Sequence, residues 1–590
     1  MSINELPRWD LTHLFNGIED PKLTTVVGNI VPSAKAFAER WRGRVAEIDA
    51  GGLLSMLSDY ERSFAEPTAA YAFAHLGYAA DSTDNSFVSL LSKIRELFNE
   101  AHRLTLFFTL ELDSIDDERY AALSEDSTLK AYAHYLRQLR KQKDRRLTES
   151  EESILALKTL PGSTAFVQLY SRLTSSFRFP SPVDGEDDKY LTNAEILALL
   201  KHHDRETRRR AIENFSKVYE DQKLTISTIW NAIALDHRQN IGLRGYSSVI
   251  EPVNEGNELS DKAVSTVMEV TRQHYHLARR YYKWKAGALG VEKLWSSDLS
   301  APLPGASDEK ISYEKAREWV IDSFNDFHPR FGEIAKGFFD ENRIDTPPVP
   351  GKSGGAFCMG AAPHLPPYVL INFTGKLRDA TTLAHELGHG IHFTLAAKQP
   401  YLEYSPVLPL AETASVFGEL LMTKKLLELE KEPEKRKHLI AERVEDIIAT
   451  TFRQTMYTDF ELEAHAKTAE STVEPEMFCD IWNSKLNNLY GETVETLDGS
   501  KWAWSAIPHF IHTRFYCYAY TFGELLVLAL YRRYQEEGAA FAPKLISLLE
   551  AGGSLEPQAL VANLDYDLED SEFWRGGYRV LEELLEELGA

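Results

Sequence analysis

Within five residues, His385-Glu386-Leu387-Gly388-His389, the chain sets out two imidazoles and a carboxylate. On an α-helix four residues advance about 400°, so the two rings lie ~40° apart and ~6 Å up the axis. Both can converge on one metal ion, each nitrogen about 2.0–2.1 Å from it. Glu386 falls ~100° from His385, beside such an ion and not opposite it, placed to take a proton from a water held there. With 18 histidines in 590 residues, composition alone produces this pattern in roughly one such chain in twenty. Two histidines a turn apart can equally be hydrogen-bonded core residues, so the surroundings decide.

A short β-branched and aromatic run, Tyr368–Phe373, is followed by the breaker Gly375 and then by the helix that carries the motif. A strand in that position offers backbone groups to an extended peptide. Leu383, Leu387, Ile391 and Leu395 occupy the adjoining face and anchor the helix in a core. Two glycines weaken this helix, each costing roughly 0.5–1 kcal/mol against alanine. Gly388, ~60° from His385, is read as keeping the metal side clear, and Gly390, on the far side, as letting another helix approach. His392 lies within ~20° of His385 around the axis but about 10.5 Å along it, too far to share the ion. The third ligand therefore comes from another segment. Leu410-Ala-Glu412-Thr-Ala-Ser-Val-Phe-Gly-Glu419 reads as a further helix with two carboxylates seven residues apart. Two His and one Glu with an open fourth position make a catalytic zinc site; geometry leaves Glu412 and Glu419 both open.

Apolar residues recur at three- and four-residue spacing over most of the chain, as in Phe87–Phe98 and Val444–Phe460, so the fold class is mainly α. Thr148-Glu-Ser-Glu151 and Thr192-Asn-Ala-Glu195 fit the capping box. Strand signals are few: Arg172–Phe179 leading into a hairpin around Asp184-Gly185, and Tyr368–Phe373. They predict a small sheet beside the histidine helix. The turn-rich stretch 180–189 marks a seam between an N-terminal helical region, 1–185, and a catalytic region, 186–590.

Apolar and charged fractions of 43% and 26% are those of a globular protein. A formal charge of −24 repels nucleic acid and anionic lipid. The basic runs Arg137–Arg146 and Arg205–Arg210 are interleaved with helix formers and read as solvated helix faces. No apolar run approaches the ~20 residues of a membrane span, and Met1–Phe15 lacks a basic segment followed by an apolar one. A cytoplasmic protein is expected, acting without nucleic acid, membrane or an obligate protein partner. Three scattered cysteines, Cys358, Cys479 and Cys517, argue against a disulfide framework and against a thiolate metal site. Gly351-Lys-Ser353-Gly-Gly355 satisfies the G-x-S-x-G pattern of serine hydrolases, but that elbow needs a preceding strand and TPPVP stands there. The same Gly-Lys-Ser could end a P-loop, yet Thr346 stands where the first glycine belongs. Both are decoys.

TLAHELGHGIH together with ETAS and Glu419 resembles the thimet oligopeptidase and oligoendopeptidase F family of zinc metallopeptidases. Gly351–Phe357, Tyr368–Phe373 and the stretch Ile507–Tyr520 are similar to its oligoendopeptidase F branch, and Arg244–Ser247 and Leu112–Leu147 more weakly so. The resemblance implies a mostly helical, two-lobed body with a deep channel that admits peptides. It implies one zinc ion per chain held by His385, His389 and Glu412, with Glu419 supporting a ligand histidine. It further implies that Glu386 is the general base and that oxyanion donors come from 509–520. Tyr516 and His509 are favoured there, with His512, Tyr518 and Tyr520 as further candidates. Some relatives carry a glycine-rich flexible loop at this place, which this chain lacks. Gly355 then belongs to a glycine-rich loop near the substrate cleft. The expected reaction is hydrolysis of internal bonds in short, unfolded peptides. The alternatives are a carboxypeptidase or dipeptidase of the same fold, or a helical peptide-binding protein with a dead site.

Overall fold

Thr148 and Thr192 each open a helix by the reciprocal pairing that their spacing predicts. The Glu151 and Glu195 carboxylates accept the threonine N–H at 2.9 and 2.7 Å, and the threonine hydroxyls accept the glutamate N–H in return. In the computed structural model, which describes residues 6–186, 188–305 and 310–590 (the side chain of Glu149 excepted), helices make up most of the chain and the strands are short. No helix among the described residues is long and apolar enough to cross a membrane.

Two expected elements outside the site differ, and the strand expected over Tyr368–Phe373 is shorter, Tyr368–Leu370. Val444–Phe460 belongs to two helices, Pro433–Thr450 and Phe452–Glu470. At the break the Thr451 hydroxyl donates to the Ile447 carbonyl at 2.7 Å, and Thr521 Oγ1 donates to the Thr451 carbonyl at 2.9 Å. Hydroxyls that compete for backbone groups interrupt a helix that apolar period alone continues. Arg172–Ser176 is the end of the helix Ser163–Ser176, and only Phe179–Pro180 pairs, antiparallel, with Tyr190–Leu191. The turn between them passes through Gly185 at φ +82°; Asp187 lies outside the described residues.

Packing groups the chain into two units, each assembled from three stretches. The first takes Met1–Lys143, Asp308–Leu429 and Arg533–Asp565; the second takes Asp144–Ser307, Glu430–Arg532 and Tyr566–Ala590. A single cut at 185 divides the chain by composition; these units divide it by contact.

In the first unit, helices Pro21–Trp41, Ala50–Ala80 and Asn85–Thr105 pack on one another around Leu23, Ile30, Phe64, Phe73 and Ile94. Tyr368 joins that core from a three-stranded sheet. The central strand Tyr368–Leu370 pairs in parallel with Ile344–Asp345 and antiparallel with Phe357–Met359, with Val369 opposite both Ile344 and Cys358. The Gly351–Gly355 loop is tied down on all sides. Ser353 N–H donates to the Ala79 carbonyl at 2.8 Å, Ser82 N–H donates to Gly351 O at 2.7 Å, and Asn372 Nδ2 donates to the carbonyls of Ser353 and Gly355. Lys352 is buried, its Nζ 2.6 Å from Asp345 Oδ1 and donating to three backbone carbonyls. That ammonium is committed to the fold, and the loop leads into a strand, so neither the phosphate nor the serine-elbow pattern has its required setting.

In the second unit, helices Lys223–Arg244, Phe452–Glu470 and Pro475–Tyr490 pack together around Trp230, Phe460 and Phe478. The basic runs are only partly the solvated faces expected of them: Arg137 and Lys141 are exposed and Arg209 pairs locally with Glu206 and Glu213, but other members are drawn inward. Arg208 is buried and, with Arg205, holds Asp298 at 2.9 and 2.8 Å; Arg145 reaches Glu251 at 2.6 Å; Arg140, in the first unit, pairs with Asp117. Their partners lie far away in sequence, where a local charge count cannot find them.

Candidate active site

The turn into the histidine helix (Leu377–Ala396) is made by Gly375 at φ +81° and closed by Asp379, whose carboxylate accepts the Thr374 and Lys376 N–H at 2.6 and 3.0 Å. A carboxylate there also suits the positive end of the helix. Leu383, Leu387, Ile391 and Leu395 are all fully buried, so the face predicted to anchor the helix does so.

Both glycines are packing residues. A Cβ on Gly390 would meet the Phe338 ring at 2.3 Å, as expected of a close approach. A Cβ on Gly388 would meet the Ala414 carbonyl oxygen at 2.4 Å and Ser415 Cα at 2.6 Å. The reading of Gly388 as room for the metal is therefore corrected: its space is filled by the backbone of the segment that carries the glutamates. The contact is reciprocal, since a Cβ on Gly418 would meet the Ala384 carbonyl at 2.8 Å. Ala384-x-x-x-Gly388 and Ala414-x-x-x-Gly418 are matching small-residue pairs one turn apart, and this signal was visible in the sequence.

Leu410–Glu419 is not one helix. A short helix, Leu408–Ala411, ends at Glu412, and a second, Thr413–Leu429, follows. The one-residue interruption lets the Glu412 carboxylate turn to the histidines. His385 Nε2 and His389 Nε2 are 3.2 Å apart, and Glu412 Oε2 lies 3.5 and 3.4 Å from them. Ligands of a tetrahedral ion with bonds of about 2.0–2.1 Å stand about 3.3–3.4 Å apart. The three atoms thus have the spacing of one face of such a site, and the donor set, two imidazoles and a carboxylate, is that of catalytic zinc. Donor atoms of His385, Glu386 and His389 also lie within 4.8 Å of one another, but Glu412 is the carboxylate nearer both imidazole nitrogens.

The supporting groups are in place. Glu419 Oε1 accepts from His385 Nδ1 at 2.9 Å, which leaves Nε2 as the ring's ligand atom. Ser415 Oγ donates to Glu412 Oε2 at 2.7 Å, a contact that sequence reasoning missed. Burial works against a charged His385 ring, but the hydrogen bond and charge of Glu419, then Glu386 and Glu412, carry its pKa up to about 9. Burial lowers the pKa of His389. His392 is 3% exposed, its pKa pushed down to about 3 by burial and by His389, and its ring faces the Ala411 carbonyl, a structural place. Glu386 is 5% exposed, and burial above all raises its carboxyl to about 7, against the pull of His385.

The strand expected over Tyr368–Phe373 to present its backbone forms over Tyr368–Leu370, where it is paired on both sides and has none to offer. An open edge belongs to Phe357–Met359, which also packs against the histidine helix and starts two residues after Gly355, held at φ +77°. Cys358 on that strand feels the Glu386 charge, although burial is the larger reason its thiol is pushed up.

The candidates between 509 and 520 lie in the second unit, and the structure sorts them. His509 and Tyr516 stack at 5.4 Å and 16°, Tyr520 meets both rings edge-on, and its hydroxyl is 3.4 Å from His509 Nε2. All three are half-buried. Tyr518 is fully buried instead, its hydroxyl accepting from Asn257 Nδ2 at 2.7 Å. His512 is exposed and pairs with Ser171 Oγ at 3.0 Å.

The family model for Peptidase family M3 matches residues 198–579, and that for Oligopeptidase F matches 111–179. Oligopeptidase PepF of Bacillus subtilis is 25% identical, covering 98% of this chain and 86% of the relative. An oligoendopeptidase F homolog of Borreliella burgdorferi is 27% identical, covering 94% and 93%. Among solved structures, oligoendopeptidase-F from Enterococcus faecium shares the fold with a TM-score of 0.72, at 23% identity and 95% and 96% coverage. The M3 match runs over most of the chain and the relatives are of comparable length; the chain therefore belongs to peptidase family M3, among the oligoendopeptidase F-type metalloendopeptidases.

Proposed function

We propose that this protein is a zinc-dependent oligoendopeptidase that hydrolyses internal bonds of short, unfolded peptides. The observation that carries the reading is the triangle of His385 Nε2, His389 Nε2 and Glu412 Oε2, 3.2–3.5 Å on a side, with the buried Glu386 beside it. Those three residues would hold one zinc ion. When bound, the ion supplies Lewis-acid chemistry, polarising the scissile carbonyl and acidifying water.

Glu386 takes the proton of the attacking water as its oxygen bonds to the carbonyl carbon, then delivers that proton to the departing amine nitrogen as the C–N bond breaks. Burial raises this carboxyl, the direction that favours its holding the proton between the two transfers. Glu419 fixes the His385 ring and its tautomer. Tyr516 and His509, with Tyr520 touching both, are assigned to stabilising the oxyanion and holding substrate. The Phe357–Met359 edge pairs with the extended peptide. Three free cysteines suit the reducing cytoplasm, where peptides are degraded.

Glu386→Gln is expected to keep stoichiometric zinc, by metal analysis, while hydrolysis of a quenched fluorescent peptide falls by about 10³-fold or more. Cleavage at the wild-type rate would mean that Glu386 is not the proton shuttle. A peptide blocked at both ends should still be cut; if it is not, the enzyme trims chain ends.

A further inference from the structure

Phe515 sits in the turn between the His509–His512 helix and the helix Cys517–Glu537, and it adopts φ +54°. A bulky residue in the left-handed region is strained, and such strain persists only where the surroundings over-determine it. Its ring is fully buried against His465 at 4.9 Å and His237 at 5.8 Å. Its N–H is taken by Glu461 Oε1 at 2.8 Å. Glu461 lies on the helix Phe452–Glu470, is fully buried, and its second oxygen has no hydrogen-bond partner among the described residues. A buried carboxyl that spends one oxygen on a strained backbone amide and leaves the other bare is costly for a core residue, and nothing in the reaction above uses it. The next residue along the chain is Tyr516, whose ring stacks on His509.

We infer that Glu461 is a positioning residue: its carboxyl holds the Phe515 N–H, and with it the left-handed turn that sets the Tyr516 ring against His509. The inference rests on the assignment of Tyr516 to the reaction proposed above, and deepens it. Burial raises the Glu461 carboxyl to about 8, against the Phe515 N–H and the Arg514 charge, which favours the uncharged acid as the group that accepts this N–H. Its carbonyl oxygen does what a glutamine amide oxygen can do equally well. The role is in acceptance and reach, not in charge.

The test places 3-fluorotyrosine at position 516 in the full zinc-loaded chain and compares the ¹⁹F resonance, kcat and KM of three variants. Glu461→Gln keeps an acceptor at the same reach, so the resonance should stay put and kcat remain within about 2-fold. Glu461→Asp falls short by one methylene and Glu461→Met offers no acceptor. In both the resonance should shift or broaden, and kcat should drop about 10-fold or more with KM little changed. An unmoved resonance in the Asp and Met variants, or a displaced one in the Gln variant, overturns the inference. Should the Met variant fail to melt cooperatively, the Asp variant alone separates the two outcomes. A resonance that moves while kcat does not upholds the placement by Glu461 and removes Tyr516 from the reaction, so the two claims fail separately.

Discussion

In the first unit, two imidazoles ride on one long helix and a carboxylate on the next segment, and the two backbones are locked by glycines that each receive the other's carbonyl. In the second unit, one imidazole and two phenols ride on a short helix, a turn and the start of another helix, and the turn depends on one strained residue. The donors of the first group stand 3.2–3.5 Å apart; the rings of the second stand 5.2–5.8 Å apart, centre to centre. An ion tolerates little error in ligand spacing, so a site for one needs donors on locked backbone: His385 and His389 share one helix, and Glu412 stands at the break between two helices held against it. Phenols and imidazoles that hold a substrate act through broader contacts, and a turn that sets them half-buried is sufficient.

The contrast makes its strongest prediction at Tyr516. Tyr516→Phe keeps the ring and its stacking on His509 but deletes the hydroxyl. If the second group supplies a transition-state hydrogen bond, kcat should fall by about 10²–10³, while zinc content and thermal melting remain those of the wild type. A variant that loses zinc along with activity would show that the two regions are not functionally separable in this way.

Gly388 probes the other side of the comparison with a smaller effect. In Gly388→Ala the new methyl meets backbone, Ala414 O at 2.4 Å and Ser415 Cα at 2.6 Å, and neither can swing aside. The helices have to part, at a cost of about 1–3 kcal/mol, and Glu412 and Glu419 move with them. Zinc affinity should weaken about 10–100-fold in competition with a chromophoric chelator. Gly390→Ala is the control. It meets the Phe338 ring at 2.3 Å on the far side of the helix, so it should lower the melting temperature yet leave zinc affinity unchanged.

These cases also mark what a sequence can reveal. The histidine helix was legible because its evidence is local: period, chemistry and anchoring leucines all lie within one element. The capping boxes at Thr148 and Thr192 were legible for the same reason. Gly388 was misread because the object filling its space comes from another segment, although Ala384/Gly388 and Ala414/Gly418 hinted at it. The break at Glu412 was missed because apolar spacing runs through it. The edge available to a peptide was assigned to Tyr368–Phe373 because a lone strand shows no neighbours; only pairing reveals that it is central and that Phe357–Met359 is an edge. Among the residues from 509 to 520, sequence favoured Tyr516 and His509 by resemblance alone; it could not foresee that Tyr518 is buried or that His512 meets Ser171, since burial and partner depend on chain hundreds of residues away.

Tyr518 is the sharpest instance of that last point and the mildest prediction. It stands two residues from Tyr516 and two from Tyr520, and by type it is as good a candidate as either. The helical period turns it to the opposite side, where it is fully buried and accepts from Asn257 Nδ2 at 2.7 Å, a partner 261 residues earlier. Burial, chiefly, raises its pKa well beyond the ordinary phenol value, so it stays a neutral hydroxyl at any working pH. Tyr518→Phe deletes one hydrogen bond and leaves the Asn257 amide short of an acceptor, which costs about 1–2 kcal/mol of stability. Denaturant unfolding should record that loss, while kcat and KM should each stay within about 2-fold of wild type. A large fall in kcat without a matching loss of stability would mean that Tyr518 reaches substrate, and that the division between a working face and a packed face of this helix is drawn in the wrong place.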